Sequence, residues 1–371
     1  MSHIETQTKN HFAKAKQAWI HEFNKPLVIS GPCSAESEKQ MLEIAGRLSK
    51  DYVQIFRAGI WKPRTKPNSF EGVGVIGLEW LKRVKDEYGF KIATEIANAN
   101  HAKLALDYDV DYLWIGARST VNPFVVQEIA EALHNTDKVV LVKNPINPDL
   151  DLWIGAFERL QAQGISNLGA VHRGFSSYKK TKYRNNPQWQ IALDFMEKMP
   201  EIPMICDPSH ICGNRKDLFD VAQMAFNFEY DGLMIESHNN PDEAWSDAKQ
   251  QIFPERLLEI LKELKLRKSD DEDAGYHLKL ASLRNEIDEA DQNIIETLAH
   301  RMNISEQIGE LKNTHNVAIY QPERWKAIRN TAINLGADIG LSEDFIDKLL
   351  KAIHQESIRH QNKVINKKLK N

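Results

Sequence analysis

The sequence predicts an α/β protein, a (β/α)8 TIM barrel, followed by an all-α domain of three helices. Three observations predict it. Eight short apolar runs recur through the first 265 residues, amphipathic stretches of helical spacing separate them, and strand-like patterning stops beyond residue 266.

The apolar runs lie at 26–30, 53–56, 91–94, 112–115, 139–142, 168–171, 203–206 and 233–235. They show little polar alternation, which is the mark of strands buried on both faces of a parallel sheet covered by helices. Between them, stretches such as 41–48, 78–84, 124–133 and 218–226 carry apolar residues at helical spacing. Eight strand–helix cycles in about 250 residues is the count of a closed barrel, and their regularity favours it over an open doubly wound sheet. The sequence GVGVIG at 72–77 matches the dinucleotide fingerprint. It follows a polar loop rather than a strand, so it predicts the shape of the next helix start and no nucleotide cofactor.

Residues 1–266 are therefore expected to form the barrel, 267–276 a charged linker, and 277–371 the helical domain. Leu280, Leu283, Ile287, Ile294, Leu298, Met302 and Ile308 mark one long amphipathic helix of roughly 35 residues. A second helix is expected from Pro322 to about Gly336, and a third from Ser342, a capping residue, to about Lys363. Three helices with so long a first member bury their apolar faces poorly alone, which predicts a homodimer through this domain.

Composition excludes several classes. A net charge of −4 leaves no general footprint for nucleic acid. Three cysteines form no disulfide framework and suit a reducing compartment. The polar N-terminal segment and the lack of long apolar runs predict neither signal peptide nor membrane span, hence a cytoplasmic location.

In a barrel of this type the chemistry sits at the C-terminal ends of the strands. Those positions hold Cys33, Arg57 with Lys62 and Arg64, Glu95, Arg118, Lys143, Arg173, Asp207 with His210, and Glu236 with Asp247. Converging Arg and Lys side chains predict a substrate with several negative charges. Cys33, His210, Glu236 and Asp247 form a mixed thiolate, imidazole and carboxylate set, suited to a divalent ion such as Zn2+, Mn2+, Fe2+ or Co2+.

These residues stand in segments that resemble the 3-deoxy-D-arabino-heptulosonate-7-phosphate (DAHP) synthase family. The matching segments are Gly31-Pro32-Cys33-Ser34, Arg57 with Lys62-Pro63-Arg64-Thr65, Gly116-Ala117-Arg118, Val142-Lys143-Asn144, Val171-His172-Arg173-Gly174, Asp207-Pro208-Ser209-His210, Ile235-Glu236-Ser237-His238 and Ser246-Asp247-Ala248-Lys249-Gln250. The resemblance implies condensation of phosphoenolpyruvate with erythrose 4-phosphate. It implies that Arg57, Lys62, Arg118, Lys143 and Arg173 hold phosphoenolpyruvate, Arg64 and Thr65 the erythrose phosphate, and Cys33, His210, Glu236 and Asp247 the metal. Lys62 either protonates the developing alkoxide or positions it. The run Ser119-Thr120-Val121-Asn122 departs from the family's more amide-rich one.

The helical domain is similar to the all-helical class of chorismate mutase, which implies that Arg284, Arg301, Lys312, Gln321, Arg324, Ser357 and Gln361 bind chorismate or prephenate. Arg301 and Lys312 are the implied catalytic cations. Arg301 and Lys312, eleven positions apart, share a helix stripe, whereas Arg284 is turned about 100° away. The resemblance implies that this arginine serves a partner subunit. Gln321 and Trp325 stand where the family commonly has Asp and Glu. A bifunctional enzyme of aromatic biosynthesis is the expected function. The alternatives are a helical domain acting mainly as a chorismate or prephenate sensor controlling the barrel, and a barrel acting on a different aldehyde.

Overall fold

The computed structural model describes residues 16–23, 26–62, 70–178, 181–267 and 273–368. Eight strands form a closed, wholly parallel barrel in chain order: β1 (Leu27–Gly31), β2 (Ile55–Arg57), β3 (Lys91–Ile96), β4 (Tyr112–Ile115), β5 (Val139–Lys143), β6 (Leu168–His172), β7 (Met204–Cys206) and β8 (Gly232–Glu236). Closure is made by β8 against β1, with Leu27 opposite Gly232 and Gly31 opposite Glu236. Each predicted apolar run is a strand, and nearly every strand residue is buried.

Side chains alternate between two cores, as the pleat requires. One set, including Leu27, Ile29, Ile55, Ala93, Trp114, Leu141, Val171, Ile205 and Met234, fills the barrel interior. The intervening residues, such as Val28, Phe56, Ile92, Val140, Leu233 and Ile235, pack outward against the surrounding helices. Trp19 and Ile20, on a short 3-10 turn Ala18–Glu22, belong to the interior set, and the Trp19 indole donates to Leu168 O at 3.0 Å.

Helix starts are set by side-chain caps. Ser37 caps α1 (Glu38–Arg47), Asn98 caps α3 (Ala99–Asp107), Asn122 caps α5 (Pro123–Ala132) and Asp149 caps α6 (Leu150–Ala162). The remaining barrel helices are α2 (Ile76–Tyr88), α4 (Ala117–Thr120), α7 (Trp189–Lys198), α8 (Pro208–Cys212), α9 (Leu218–Asn227) and α10 (Pro254–Glu263). The GVGVIG segment leads into α2. Gly72 has φ +100°, and a Cβ there would meet Ile60 O at 2.0 Å, so this glycine lets the chain pass close to the residues before Lys62.

Residues 270–371 form a second compact unit. It contains α11 (Ala274–Thr314), α12 (Pro322–Asp338) and α13 (Glu343–Lys368). The first helix is longer than the expected 35 residues, and Ala274, Gly275 and Tyr276 belong to it rather than to a linker. Asp273 caps it, its carboxylate accepting from Gly275 N, so the charged stretch ends in a helix start. Ser342 accepts from Phe345 N at 3.3 Å at the start of α13. No helix among the described residues is long and apolar enough to cross a membrane.

Candidate active sites

The interior parity that places Ile55, Ala93, Leu141, Val171, Ile205 and Met234 inside the barrel continues two residues on. Arg57, Glu95, Lys143, Arg173, Asp207 and Glu236 are those positions. One rule of strand geometry therefore collects the polar residues at one end of the barrel.

Trp114 lies beneath them. Its ring carries the Arg57 guanidinium at 4.6 Å and the Lys143 ammonium at 5.7 Å, and its indole N–H donates to Glu95 Oε2 at 3.2 Å. Arg57 is buried, donates from Nη2 to Cys33 O at 3.2 Å, and brings Nη1 to 3.4 Å from Glu236 Oε1. Lys143 pairs with Asp207 at 2.7 Å in full burial. Asp207 also stands 2.7 Å from His210 Nδ1 and accepts from His210 N, so one carboxylate fixes both a cation and the imidazole.

The remaining groups form a connected chain of contacts. Lys62 Nζ donates to Cys33 Sγ at 3.1 Å, and Cys33 Sγ lies 3.4 Å from Asp247 Oδ2. Gly59 permits this, since a Cβ there would fall 2.7 Å from Lys62 Nζ. Arg184 donates to Asp247 Oδ1 and to Gln250 Oε1, both at 2.8 Å, while Gln250 donates to Glu236 Oε2 at 2.8 Å. Arg184, Gln250 and Trp114 are absent from the sequence-derived set. Arg184 sits in the long loop after β6, where no strand parity applies.

Burial and charge set the protonation states. Burial, reinforced by Glu236, pushes the Cys33 thiol up to about 12. Burial would raise the Asp247 and Glu236 carboxyls, but the charge of His210, with Arg184 beside the first and Arg57 beside the second, holds both below the usual range. Arg173 is lowered to about 10 by burial, and Arg184 and Arg118 add to that while Asp207 opposes it. Arg173 thus lies in the field of two further guanidinium groups, of which Arg184 is itself paired with Asp247.

The four predicted metal ligands approach one another as two pairs: Cys33 with Asp247, and His210 with Glu236, whose Nε2 and Oε1 are 3.7 Å apart. Among the described residues no three His, Cys, Asp or Glu side chains are grouped tightly enough to hold an ion as they stand. Lys62, Arg57 and Arg184 engage Cys33, Glu236 and Asp247 instead, and His210 faces Asp207 and Glu236. Glu236 Oε1 is nevertheless a buried carboxylate oxygen without a hydrogen-bond partner. That orphaned oxygen and the donor types fit a divalent ion of the zinc, manganese or iron class. Arg64 and Thr65 lie outside the described residues.

In the second unit a cavity of about 290 Å³ opens between the three helices. Arg301, Lys312, Gln321, Arg324, Ser357 and Gln361 all line it. Arg301 donates to Ser357 Oγ, and Lys312 to Ile319 O. Arg284 is exposed and is not among the lining residues. Trp325 and His354, neither of them in the sequence-derived set, complete the wall, their rings stacked at 4.2 Å and 19°. His354 precedes Ser357 by three positions and Gln361 by seven, which is one helix face and the signal that finds it.

Residues 9–270 match the DAHP synthetase I family. The chain belongs to that family. Residues 283–362 match chorismate mutase type II, so the DAHP synthase barrel is fused to a chorismate mutase domain and the chain is an enzyme of both classes, in aromatic biosynthesis. Phospho-2-dehydro-3-deoxyheptonate aldolase of Thermotoga maritima is 30% identical over 238 residues, covering 64% of this chain and 68% of that protein. A crystal structure of this DAHP synthase superposes with a TM-score of 0.57 at 28% identity, over 64% of this chain and 67% of that one. A 2-dehydro-3-deoxyphosphooctonate aldolase of Cyanothece is 28% identical, covering 64% of this chain and 90% of that protein.

Proposed function

We propose that the barrel condenses phosphoenolpyruvate with erythrose 4-phosphate, releasing phosphate, and that the helical domain rearranges chorismate to prephenate. The observation that carries the first part is the gathering of buried Arg57, Lys143 and Arg173, with Arg118 and Arg184 near Arg173, at one end of the barrel. Among the described residues Arg118 and Arg173 form no ion pair, while Lys143, Arg57 and Arg184 pair with Asp207, Glu236 and Asp247. Five cations so placed at one barrel end suit a substrate bearing phosphate and carboxylate together. Holding that substrate at fixed groups lowers the entropy cost of bringing its C3 to the aldehyde carbon. Lys62, the ammonium nearest Cys33, supplies or positions a proton for the alkoxide that forms.

Enzymes of this family generally use a divalent metal. Here Cys33, His210, Glu236 and Asp247 would hold it, and when bound it would act as a Lewis acid toward the aldehyde oxygen. Arg64 and Thr65 are proposed to bind the phosphate of the aldehyde substrate. Release of inorganic phosphate from the two substrates tests the reading, and an Arg173→Ala protein retaining full activity would overturn it. Arg64→Ala tests the choice of aldehyde, with an undiminished rate on erythrose 4-phosphate favouring another sugar.

In the helical cavity, Arg301, Lys312 and Arg324 suit the two carboxylates and the developing charge on the ether oxygen of a Claisen rearrangement, a reaction needing no metal. No Asp or Glu is among the residues lining that cavity. This favours a second reading alongside the first, in which the domain binds chorismate or prephenate and throttles the barrel. Prephenate titrated into the synthase assay decides it, an unchanged rate removing the regulatory role.

A further inference from the structure

The cavity of the helical domain contains a polar atom with nothing to bond. His354, on α13, lines the cavity beside Arg301 and Lys312. Its Nε2 is buried and lacks a hydrogen-bond partner. A hydrogen-bonding atom sealed from water without a partner is costly, and such atoms in native folds are commonly satisfied by a ligand, water or ion.

The stack on Trp325 fixes the plane of the imidazole, and the Tyr320 ring lies beside it with centroids 6.1 Å apart. Burial, with the Arg301 and Lys312 cations facing it, keeps the ring below the usual histidine range. It is therefore neutral near pH 7 and offers one donor and one acceptor, instead of competing for the carboxylates that the cations attract. Among the lining residues the other uncharged side-chain partners are Ser305, Gln321, Ser357, Gln361 and the donor-only indole of Trp325, and Ser305 and Ser357 are already engaged with Arg301. His354 offers a donor and an acceptor on a ring held in one plane by its stack, which suits the hydroxyl of a ligand whose carboxylates the cations hold.

We propose that His354 is a ligand-contacting, specificity-determining residue of the helical domain, its Nε2 hydrogen-bonding the hydroxyl of a hydroxylated dicarboxylate held by Arg301, Lys312 and Arg324. The proposal rests on reading the cavity as the chorismate and prephenate site. Stacking on Trp325 makes the two rings one unit: the indole sets the imidazole plane, and the imidazole supplies the acceptor that the donor-only indole lacks.

Calorimetric titration of prephenate into the full-length protein tests it, with the wild type, His354→Leu, His354→Gln and Arg301→Ala compared. His354→Leu is expected to weaken binding about tenfold, the loss of one well-placed hydrogen bond, and His354→Gln to recover to within about threefold. Wild-type affinity in His354→Leu overturns the proposal, as does a glutamine variant as weak as the leucine one. Should His354→Leu lose its helical circular dichroism, the wild-type protein labelled with 15N-histidine decides instead. Prephenate must then shift the imidazole Nε2 resonance that His354→Gln lacks, and an unmoved resonance overturns the proposal. Failure of the underlying reading is separable, because it leaves Arg301→Ala binding as tightly as the wild type, or the wild type not binding at all.

Discussion

At the scale of single residues, the barrel end is built largely on buried charges held in pairs. Lys143 and Asp207 are both nearly inaccessible and 2.7 Å apart. Removing one partner leaves the other uncompensated in a low-dielectric interior, so Lys143→Met should cost about 3–5 kcal/mol of stability as well as activity. Urea unfolding of the variant checks this. His172 is the opposite case, a buried ring kept neutral. Its Nδ1 faces the Tyr230 hydroxyl at 3.0 Å and its Nε2 faces Pro187 O at 2.7 Å, an arrangement that suits an Nε2–H tautomer. Burial lowers it from 6.5 to about 4. The unfolded chain then binds the proton first, so the contribution of His172 is complete above pH 6.5 and is lost as pH falls toward 4. A shift of that size corresponds to about 3 kcal/mol. The stability gap between the wild type and His172→Phe should accordingly narrow by a few kcal/mol between pH 7 and pH 4.5, and denaturant midpoints at both pH values measure it.

At the scale of elements, strand parity explains why the barrel site was legible. Arg57, Lys143, Arg173 and Glu236 each lie two residues beyond an interior apolar residue, and period two is readable from sequence. Arg184 and Gln250 escaped because loops carry no period, and the contacts of Arg184 with Asp247 and Gln250 depend on how two distant loops meet. Trp114 escaped for another reason, since an apolar residue within a strand reads as core until cations are found above it. In the long helix α11, Leu283, Ile287 and Ile294 lie at spacings of four and seven and are exposed. An isolated helix leaves such a stripe in water, where it seeks cover. We expect a second copy of the chain to cover it, and Ile294→Glu should convert a dimer to a monomer by light scattering at micromolar concentration. A wild type that is monomeric at that concentration refutes the expectation.

At the scale of the molecule, the two units carry different chemistry and should respond differently to one reagent. The barrel offers thiol, imidazole and carboxylate donors, whereas the helical cavity is lined by cations and neutral groups. Exhaustive chelation is expected to abolish phosphate release and leave chorismate turnover intact in the same sample. Phosphate release that survives chelation would remove the metal from the proposed function. Equal loss of both activities would mean that the mutase, too, depends on the ion.

What the amino-acid sequence determined by itself was the architecture and the inward-facing part of the chemistry. Periodicities of 2 and 3.6 belong to the chain locally, and they specify which side of each element faces a core. The eight strands, the three long helices and the strand-end cations follow from them. Only the tertiary structure decided which charges neutralise which, because Coulomb partners are chosen by distance across loops far apart in sequence. It decided that the four expected ligands meet as two pairs, with Lys62, Arg184 and Gln250 engaging three of them. It also decided that His354 lines the cavity and that its Nε2 is buried without a partner, since burial and satisfaction are properties of packing.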